Sequence, residues 1–498
     1  MPRIRPLAAA LAALAPALAC AGEAITIYSS AAPGTLDARR LTESADSTSV
    51  PGYAVVREER KFPLANGANT LRVEDVAAFI DPTTVSFESL TDPNGTRVAE
   101  QSFEFDLTSS AKLLSRYLGH EVTVEQPRGD GVERITGTLV GTQGGLTLQQ
   151  ADGSVRIVES HSGVRLPSLP GGLIAKPALV WQLEAAHSGV HRTRFSYQTG
   201  GMTWWADYNL LYSQPSPGAC RVDVGAWVTL VNQSGASFAD ARVKLVAGDV
   251  HRSPTRSHSV ANAPMPDALA MKRAEGFAEK AFFEYHLYTL GRTISLAQNS
   301  TRQIELFPRA PGVACEKKLV YQGQAGTWPY GGSPLLDRSY GIASNRKVDI
   351  YLRVRNSEAN GLGVPLPAGR VRVSRFDEAD GALEFIGEDT IDHTPRAETV
   401  QLRLGSAFDI VGERRQLDFR VDSAARWMEE DVEVRVRNQK PEEPVDVSVR
   451  ENLYRWSHWS IVRRSQDFTR EDARTIDFPV HVAAKGEAVV RYTVRYTW

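Results

Sequence analysis

The sequence predicts an all-β protein made of tandem β-sandwich modules, and three observations support this class. Apolar and polar residues alternate in many short segments, as in residues 348–355 (VDIYLRVR), where every second residue is apolar. Turn residues separate these segments, as in residues 92–95 (DPNG). Helical periodicity is scarce along the whole chain. Alternation of this kind is typical of half-buried antiparallel strands, so the sequence indicates a series of packed β-sheets.

Composition excludes several classes of function. The chain has 498 residues, of which 42% are hydrophobic, and a formal net charge of −2. This apolar content is enough for several cores. The near-neutral charge gives no electrostatic footprint for nucleic acid or for an anionic membrane surface. No internal apolar stretch has the length of a transmembrane helix. We therefore expect a globular protein without a nucleic-acid partner and without a transmembrane helix.

The first residues carry the pattern of an export signal. Arg3 and Arg5 form a short basic region, and residues 7–18 are apolar except for Pro16. Residues 19–21 (ACA) then offer the small-x-small pattern that signal peptidase needs. We expect residues 1–21 to be a cleaved signal peptide, and the working protein to be periplasmic or secreted in the bacterial envelope.

Cys20 leaves a second interpretation of this signal open. A bacterial lipoprotein usually carries leucine three positions before its lipidated cysteine, whereas this chain has Ala17 there. Leu18 lies one position too close. The pattern favours ordinary cleavage, and a lipid anchor at Cys20 stays the alternative.

Residues 22–190 are expected to form an N-terminal β domain with a small insert. Strands are predicted near 53–62 and 85–90, and a short helix at 75–80. A second short helix at 109–118 is followed by several short strands and a central glycine. This order resembles a small Sm-like or SH3-like barrel near 109–165. Because fold does not imply function, we interpret the barrel as a structural insert.

Two further β-sandwich units are predicted after residue 190. The central unit covers 191–318 and carries a segment, Ser253 to Glu279, in which alternation stops and Pro, Ser, Ala and Met dominate. We interpret this segment as a mobile insertion. Residues 319–498 form the C-terminal unit, with clean alternation in 432–437 (VEVRVR) and 445–449 (VDVSV).

The cysteines predict one disulfide. Cys20 lies at the cleavage region, which leaves Cys220 and Cys315 as a pair in a compartment that permits disulfides. Each follows a turn-rich segment. We expect a bridge between them, and two separate buried thiols are the alternative.

Four motifs in the same order carry a resemblance to a known family: residues 197–208 with the core GMTWWADY, residues 283–287 (FEYHL), 364–369 (VPLPAG) and 449–453 (VRENL). Together they resemble a bacterial family of exported proteins of unknown function, whose C-terminal portion is the domain shared with mucoidy-inhibitor-A-like proteins. The resemblance covers most of the chain and is strongest from Ala178 onward. It implies export, but no activity and no catalytic residues. Mucoidy-inhibitor-A-like members typically have a helical, coiled-coil-like N-terminal part, whereas this chain has β-rich sequence there, so a role in capsule control does not transfer.

The sequence contains no catalytic, metal or cofactor motif that stands out. His187 and His191 have the spacing of a metal-binding helix, but Gly189 and the β context argue against a helix there. Residues 377–381 (DEADG) are acidic like a calcium loop, yet a hairpin turn explains them better. Ser406 lacks the flanking pattern of a nucleophile elbow. We therefore predict no metal and no cofactor.

Aromatic residues are the remaining candidates for a binding site. Trp rings stack on sugars and peptides and anchor protein interfaces. Trp204 and Trp205 are consecutive in a predicted strand, so their side chains must point to opposite faces. We consider that strand core. The speculative binding residues lie in loop-like segments or just past a strand: Trp328, Tyr330, Trp456 and Trp459.

Two hypotheses of function follow from these observations. The first is an exported, non-enzymatic scaffold or binding protein of the envelope, whose partner is an unknown envelope protein or glycan. The second is an envelope hydrolase that acts on glycan or peptide at a site between domains. A cleft that joins an acid pair or a Ser/His pair would favour the hydrolase. The missing motifs favour the first hypothesis, although enzymatic activity stays open.

Overall fold

The computed structural model describes residues 23–28, 50–105, 110–128, 131–168, 176–216, 218–248, 277–324, 332–340, 342 and 344–498. Several predictions fall outside these residues and stay predictions: the signal peptide 1–21, the alternative at Cys20, the binding residues Trp328 and Tyr330, and most of the insertion 253–279.

The described residues form one α-helix and many strands. The first part of the chain contributes α1 (Ser110–Arg116) and these strands: β1 (Ala24–Tyr28), β2 (Tyr53–Leu64), β3 (Gly67–Glu74), β4 (Ile80–Ser89), β5 (Thr96–Glu104), β6 (Glu121–Arg128), β7 (Gly131–Gly141), β8 (Leu146–Gln149), β9 (Val155–Val158), β10 (Gly163–Arg165), β11 (Ala178–Ala185), β12 (Gly189–Thr199), β13 (Met202–Ser213), β14 (Arg221–Asn232), β15 (Phe238–Ala247), β16 (Phe277–Phe282) and β17 (Tyr285–Leu296).

The rest of the chain adds long strands and one 3-10 turn at Glu358–Asn360. Its strands are β18 (Ser300–Gln322), β19 (Lys347–Arg355), β20 (Gly369–Phe376), β21 (Leu383–Ile391), β22 (Thr399–Asp422), β23 (Trp427–Asn438), β24 (Val445–Asn452), β25 (Trp459–Arg464), β26 (Thr469–Arg470), β27 (Thr475–Val482) and β28 (Glu487–Thr497). The prediction of an all-β protein is confirmed. Within the described ranges, no helix has the length and apolar character that crossing a membrane requires.

A sandwich forms the N-terminal part of the molecule. Its larger sheet has seven strands in the order β16-β17-β15-β1-β2-β12-β4, and its smaller sheet has the order β3-β11-β5. Trp181 on β11 is fully buried between them, with ring centroids 5.1 Å from Phe87 and 5.5 Å from Phe195. Alternation places one apolar face of each sheet toward this shared core.

The predicted insert is a separate small module. Helix α1 and strands β6 to β10 lie between β5 and β11, which pair directly with each other. The module has one five-stranded sheet, in the order β10-β6-β7-β8-β9, and its own apolar cluster around Leu139 and Leu148. Since its neighbours β5 and β11 are paired without it, the module is an insertion into the sandwich. Its closure into a barrel stays a prediction.

The largest sheet has thirteen strands and serves two lobes. We call the strands around β13, β14, β20 and β21 the central lobe, and those around β23, β24, β25, β27 and β28 the C-terminal lobe. Strands β18, β19 and β22 run through both, so that Leu352 belongs to the core of the first and Val348 to the core of the second. The lobes are therefore joined by continuous backbone hydrogen bonding, not by a linker.

Some predicted boundaries do not match the hydrogen bonding. Strand β12 begins at residue 189 and pairs with β2 and β4, so strands from both sides of residue 190 share one sheet. Strand β18 crosses residue 318 without interruption. The β-structure also resumes at Phe277, within the last residues of the predicted insertion 253–279, because β16 pairs with β17.

The helix predicted at 75–80 is wrong, whereas the helix predicted at 109–118 is confirmed over Ser110–Arg116. Residues 75–79 form a loop that docks on a turn of the central unit. The backbone N–H of Ala78 donates to the carbonyl of Ser234 at 2.8 Å, and Val76 and Ala77 are buried. Their burial produced the apolar spacing that resembled a helix.

Candidate functional site

A groove lies between the central and C-terminal lobes, beside Cys220 and Cys315. Its larger part has a volume of about 890 Å³ and its smaller continuation about 550 Å³. The two parts share Glu316, Lys317, Leu319 and Asp446, so they form one continuous depression. We call it the inter-lobe groove.

The predicted cysteine pair lines the larger part of this groove. Cys220 lies just before β14, and Cys315 lies in β18 where that strand passes from one lobe to the other. Their Cα atoms are 5.0 Å apart, and the backbone N–H of Cys315 donates to the carbonyl of Cys220 at 3.1 Å. The pair therefore stands at disulfide distance, as predicted. A bridge here ties the wall of the central lobe to the strand that both lobes share.

The wall from the central lobe is built by β13 and the β20–β21 hairpin. Parallel pairing of these strands places Tyr212 beside Arg375. The Tyr212 hydroxyl donates to Gln214 Oε1 at 3.3 Å, and Arg375 pairs with Glu378 in the hairpin turn at 2.6 Å. Burial raises the pKa of Tyr212. This wall offers a hydroxyl, an amide and a guanidinium to the groove.

The wall from the C-terminal lobe centres on Asp477 of β27. Arg450 donates two hydrogen bonds to its carboxylate at 2.8 Å each, and Ser448 donates a third at 2.8 Å. Lys318 approaches it at 3.3 Å. Burial alone would raise the pKa of Asp477, but the bonds from Arg450 and Ser448 outweigh it and hold that pKa below the usual value. Asp477 is thus a fixed, fully partnered carboxylate.

The groove also brings a serine, a histidine and an aspartate together. His481 Nδ1 lies 2.8 Å from Asp446 Oδ1, both side chains being largely exposed. Ser448 is diagonal to His481 across the β24–β27 pair, which corresponds to a Cα separation of about 7–8 Å. The Ser448 hydroxyl donates to Asp477 and not to His481. The three residue types of a hydrolase are therefore close, but their hydrogen bonds are not those of a nucleophile and its base.

Trp456 and Trp459, the two predicted aromatic binding residues that the structure describes, do not line this groove. Trp459 lies half-buried on β25, where its Nε1 donates to the Ala473 carbonyl at 2.9 Å and Arg470 stacks on its ring at 4.8 Å. Trp456 packs against the C-terminal core, and its Nε1 is buried without a hydrogen-bond partner among the described residues. Both rings pack against the C-terminal core, and a binding role for either stays a prediction.

The two histidines with metal-like spacing have other partners. His187 contacts Asp92 at 2.9 Å, and the buried His191 bonds to Ser89 Oγ through Nδ1 and to the His187 carbonyl through Nε2, each at 3.0 Å. Within the described residues there is no group of three or more side chains arranged to hold a metal ion. The motif at 377–381 is a hairpin turn, closed by a 2.8 Å bond from Asp377 N–H to the Ala382 carbonyl.

The groove was not predicted from the sequence. Tyr212, Arg375, Lys317 and Asp446 come from four separate segments, and no local motif marks any of them. The sequence marks the prolines before Cys220 and the acidic segment 377–381 only as turns. A scan against protein-family models finds no match for the chain, and a search of curated proteins finds none either.

Proposed function

We propose that the chain is an exported, non-enzymatic binding protein of the bacterial envelope that holds its ligand in the inter-lobe groove. The observation that carries the proposal is the groove itself, with parts of about 890 Å³ and 550 Å³ that share lining residues. Ligand sites in proteins are typically concave and on the order of 300–1,000 Å³. Export is supported by the N-terminal pattern and by the disulfide-distance cysteines.

The lining indicates a polar ligand that carries both donors and acceptors. Lys317 and Arg375 contribute positive charge, whereas Glu378, Glu443 and Asp446 contribute negative charge. Such a surface suits a peptide or a glycan of the envelope. It does not suit a purely anionic polymer, because the carboxylates would repel it.

The strands around the groove favour a rigid binding site over a site that closes by domain movement. Strand β18 belongs to both lobes, and the cysteine pair fastens it at Cys315 to Cys220, just before β14. A rigid groove keeps its donors in place before the ligand arrives, which reduces the entropic cost of binding. We therefore expect a preformed site.

Site-directed photo-crosslinking in the envelope tests the proposal. A photoreactive amino acid replaces Lys317 in the groove, and the matched control replaces Lys61, an exposed lysine of β2 far from it. We expect a discrete adduct, peptide or glycan, from position 317 and not from position 61. Arg375→Ala should weaken that adduct. The same adducts from both positions, or none from position 317, would contradict the proposal.

A second candidate function rests on Ser448, His481 and Asp446. An envelope hydrolase would require Ser448 to leave Asp477 and turn toward His481, and hydrogen bonds of catalytic groups do tighten when substrate binds. A fluorophosphonate probe distinguishes the two functions. Labelling of the native protein that is lost in Ser448→Ala would favour the hydrolase, and the absence of labelling would leave binding as the function.

A further inference from the structure

The β20–β21 hairpin exposes an unusual apolar face. Antiparallel register places Phe376 opposite Leu383 and Ser374 opposite Phe385, while Leu211 of β13 lies beside Ser374. Phe376, Leu383 and Phe385 are 51%, 59% and 61% exposed. Single exposed apolar residues are ordinary, but a contiguous group on one sheet face indicates an interaction surface.

This face continues onto an open sheet edge. Among the described strands, β21 forms a backbone ladder with β20 alone, and the second half of β21 packs against β22 near Leu404. The bond from Asp377 N–H to the Ala382 carbonyl fixes which cross-strand pairs are hydrogen-bonded. Hydrogen-bonded and non-hydrogen-bonded pairs alternate along an antiparallel ladder, so Leu383 and Phe385 both lie in non-hydrogen-bonded pairs. Their N–H and C=O groups therefore point away from β20. The first half of β21 is therefore a template for another strand.

The other end of the same sheet has a second edge, β25, which pairs with β28. The Thr497 N–H donates to the His458 carbonyl, so the same alternation directs the backbone groups of Trp459 and Ile461 outward. Val462 on this strand is 42% exposed. Both ends of the sheet thus combine outward backbone groups with exposed apolar side chains.

The two edges differ in charge. Residues 377–389 contain six carboxylates and no lysine or arginine, whereas residues 459–464 contain Arg463 and Arg464 and no carboxylate. Pairing an edge with its own kind would bring like charges together, which is how charged edges prevent association. Pairing β21 with β25 brings opposite charges together.

We infer that a second copy of this chain is the partner of the β21 edge, and that it docks through its β25 edge. The contact joins two different surfaces, so it is head-to-tail, and every open assembly keeps one unoccupied edge of each kind at its ends. Such contacts build rings or filaments, depending on whether the rotation closes. The inference does not depend on a ligand in the groove, and its failure would leave that proposal standing.

Two complementary variants of the full chain test it by sedimentation. L383S/F385S removes two exposed apolar side chains from β21, and V462S/R464S removes one exposed apolar side chain and one exposed positive charge from β25. We expect the native chain to self-associate, and each variant alone to do so at least about tenfold more weakly. An equimolar mixture should form dimers and nothing larger, since only one intact β21 and one intact β25 remain in each pair.

The matched control is V155S/I157S, which changes two exposed apolar residues on β9, an end strand of the five-stranded sheet. We expect it to associate like the native chain. Association of the native chain should also weaken as salt is raised, because exposed opposite charges are screened. A native chain that stays monomeric at all salt concentrations, or edge variants that associate like the native chain, would overturn the inference.

Discussion

The seven-stranded sheet and the C-terminal lobe both bury charged side chains, but with a different balance of charge. In the sheet, the register of β1 and β2 places Glu23 opposite Glu58. Glu58 is held by Arg60 at 2.6 Å and by the Tyr197 hydroxyl at 3.3 Å. Glu23 has one carboxylate oxygen that is buried without a hydrogen-bond partner among the described residues. Two acids therefore share one guanidinium.

The C-terminal lobe has two arginines for two glutamates. Arg414 donates to Glu451 at 2.9 Å, and Arg455 donates to Glu430 at 3.2 Å. Arg455 also donates to the carbonyls of Leu335, Asp337 and Tyr340 at 3.0, 2.8 and 2.9 Å, and so fastens the 332–340 loop to the core. All four charged side chains are almost fully buried.

The difference has a consequence for protonation. In the sheet, burial and then the Glu58 charge raise the pKa of Glu23 to about 7. In the lobe, burial disfavours the Arg414 charge, but the nearby carboxylates outweigh it and raise the pKa of Arg414. A buried cluster with an excess of acids takes up a proton, whereas a balanced cluster keeps its charges. In the balanced cluster, the loss of any one partner leaves a buried charge uncompensated and destabilises the fold.

The largest expected effect comes from breaking the balanced cluster. Arg414→Met leaves Glu451 buried without its cationic partner, so we expect the free energy of unfolding to fall by about 3–5 kcal/mol. Urea unfolding followed by tryptophan fluorescence measures it. The control is Arg415→Met, the next residue on β22, whose side chain is exposed and whose loss should cost within about 0.5 kcal/mol.

The double variant R414M/E451L sharpens this test. Removing both partners leaves no uncompensated charge between them, so most of the loss caused by Arg414→Met should be recovered. A double variant that is as unstable as the single one, or an Arg414→Met variant as stable as Arg415→Met, would mean that the ion pair itself does not matter.

The unbalanced cluster around Glu23 should make the free energy of unfolding depend on pH. The pKa of Glu23 rises from 4.5 to about 7 on folding, so the folded state holds a proton that the unfolded state releases. Its stabilising contribution is full below pH 4.5 and is lost as the pH rises through about 7. Allowing for partial exposure, we expect a loss of about 1–2 kcal/mol relative to Glu23→Gln.

Urea titrations of the native chain and Glu23→Gln across this pH range measure the difference. Glu100→Gln, at an exposed position of β5, is the control and should follow the native chain. A native-minus-variant difference that does not change with pH would show that Glu23 does not take up a proton on folding.

The two clusters also show what the sequence could predict. Alternation correctly indicated which residues of β23 face the core, since Val432, Val434 and Val436 are all buried. The same alternation gave no sign of a buried ion pair. Arg414 lies in the segment GERRQ, which is typical of a solvated strand, and its partner Glu451 follows 37 residues later. Burial there depends on which strands meet across the lobe, and that is not a local property.

The groove was unpredictable for the same reason. Parallel pairing of β13 with β20 joins Tyr212 to Arg375 across more than 150 residues of sequence. The pairing of Cys220 with Cys315 could be predicted because these two cysteines alone remain once the predicted signal peptide is removed. No comparable count exists for tyrosines or arginines, so such a site is assembled only by the topology.

The smallest expected effect compares the two tyrosines that complete these clusters. Tyr492 donates to Glu451, and Tyr197 donates to Glu58 over the longer distance of 3.3 Å. Both hydroxyls are buried, and burial raises the pKa of both. Hydrogen bonds to charged acceptors contribute about 1.5–3 kcal/mol, against about 0.5–1.5 kcal/mol for neutral ones. Burial also raises the pKa of Glu58, which weakens its carboxylate as a charged acceptor. We therefore expect Tyr492→Phe to cost about 1 kcal/mol more than Tyr197→Phe in urea unfolding at neutral pH.

Tyr321→Phe, which loses a 2.7 Å bond to the Asn345 carbonyl, provides the neutral-acceptor reference. If Tyr492→Phe costs no more than Tyr321→Phe, the charge on Glu451 adds nothing to that bond, and the contrast between the two clusters would then rest on Arg414 and Glu23 alone.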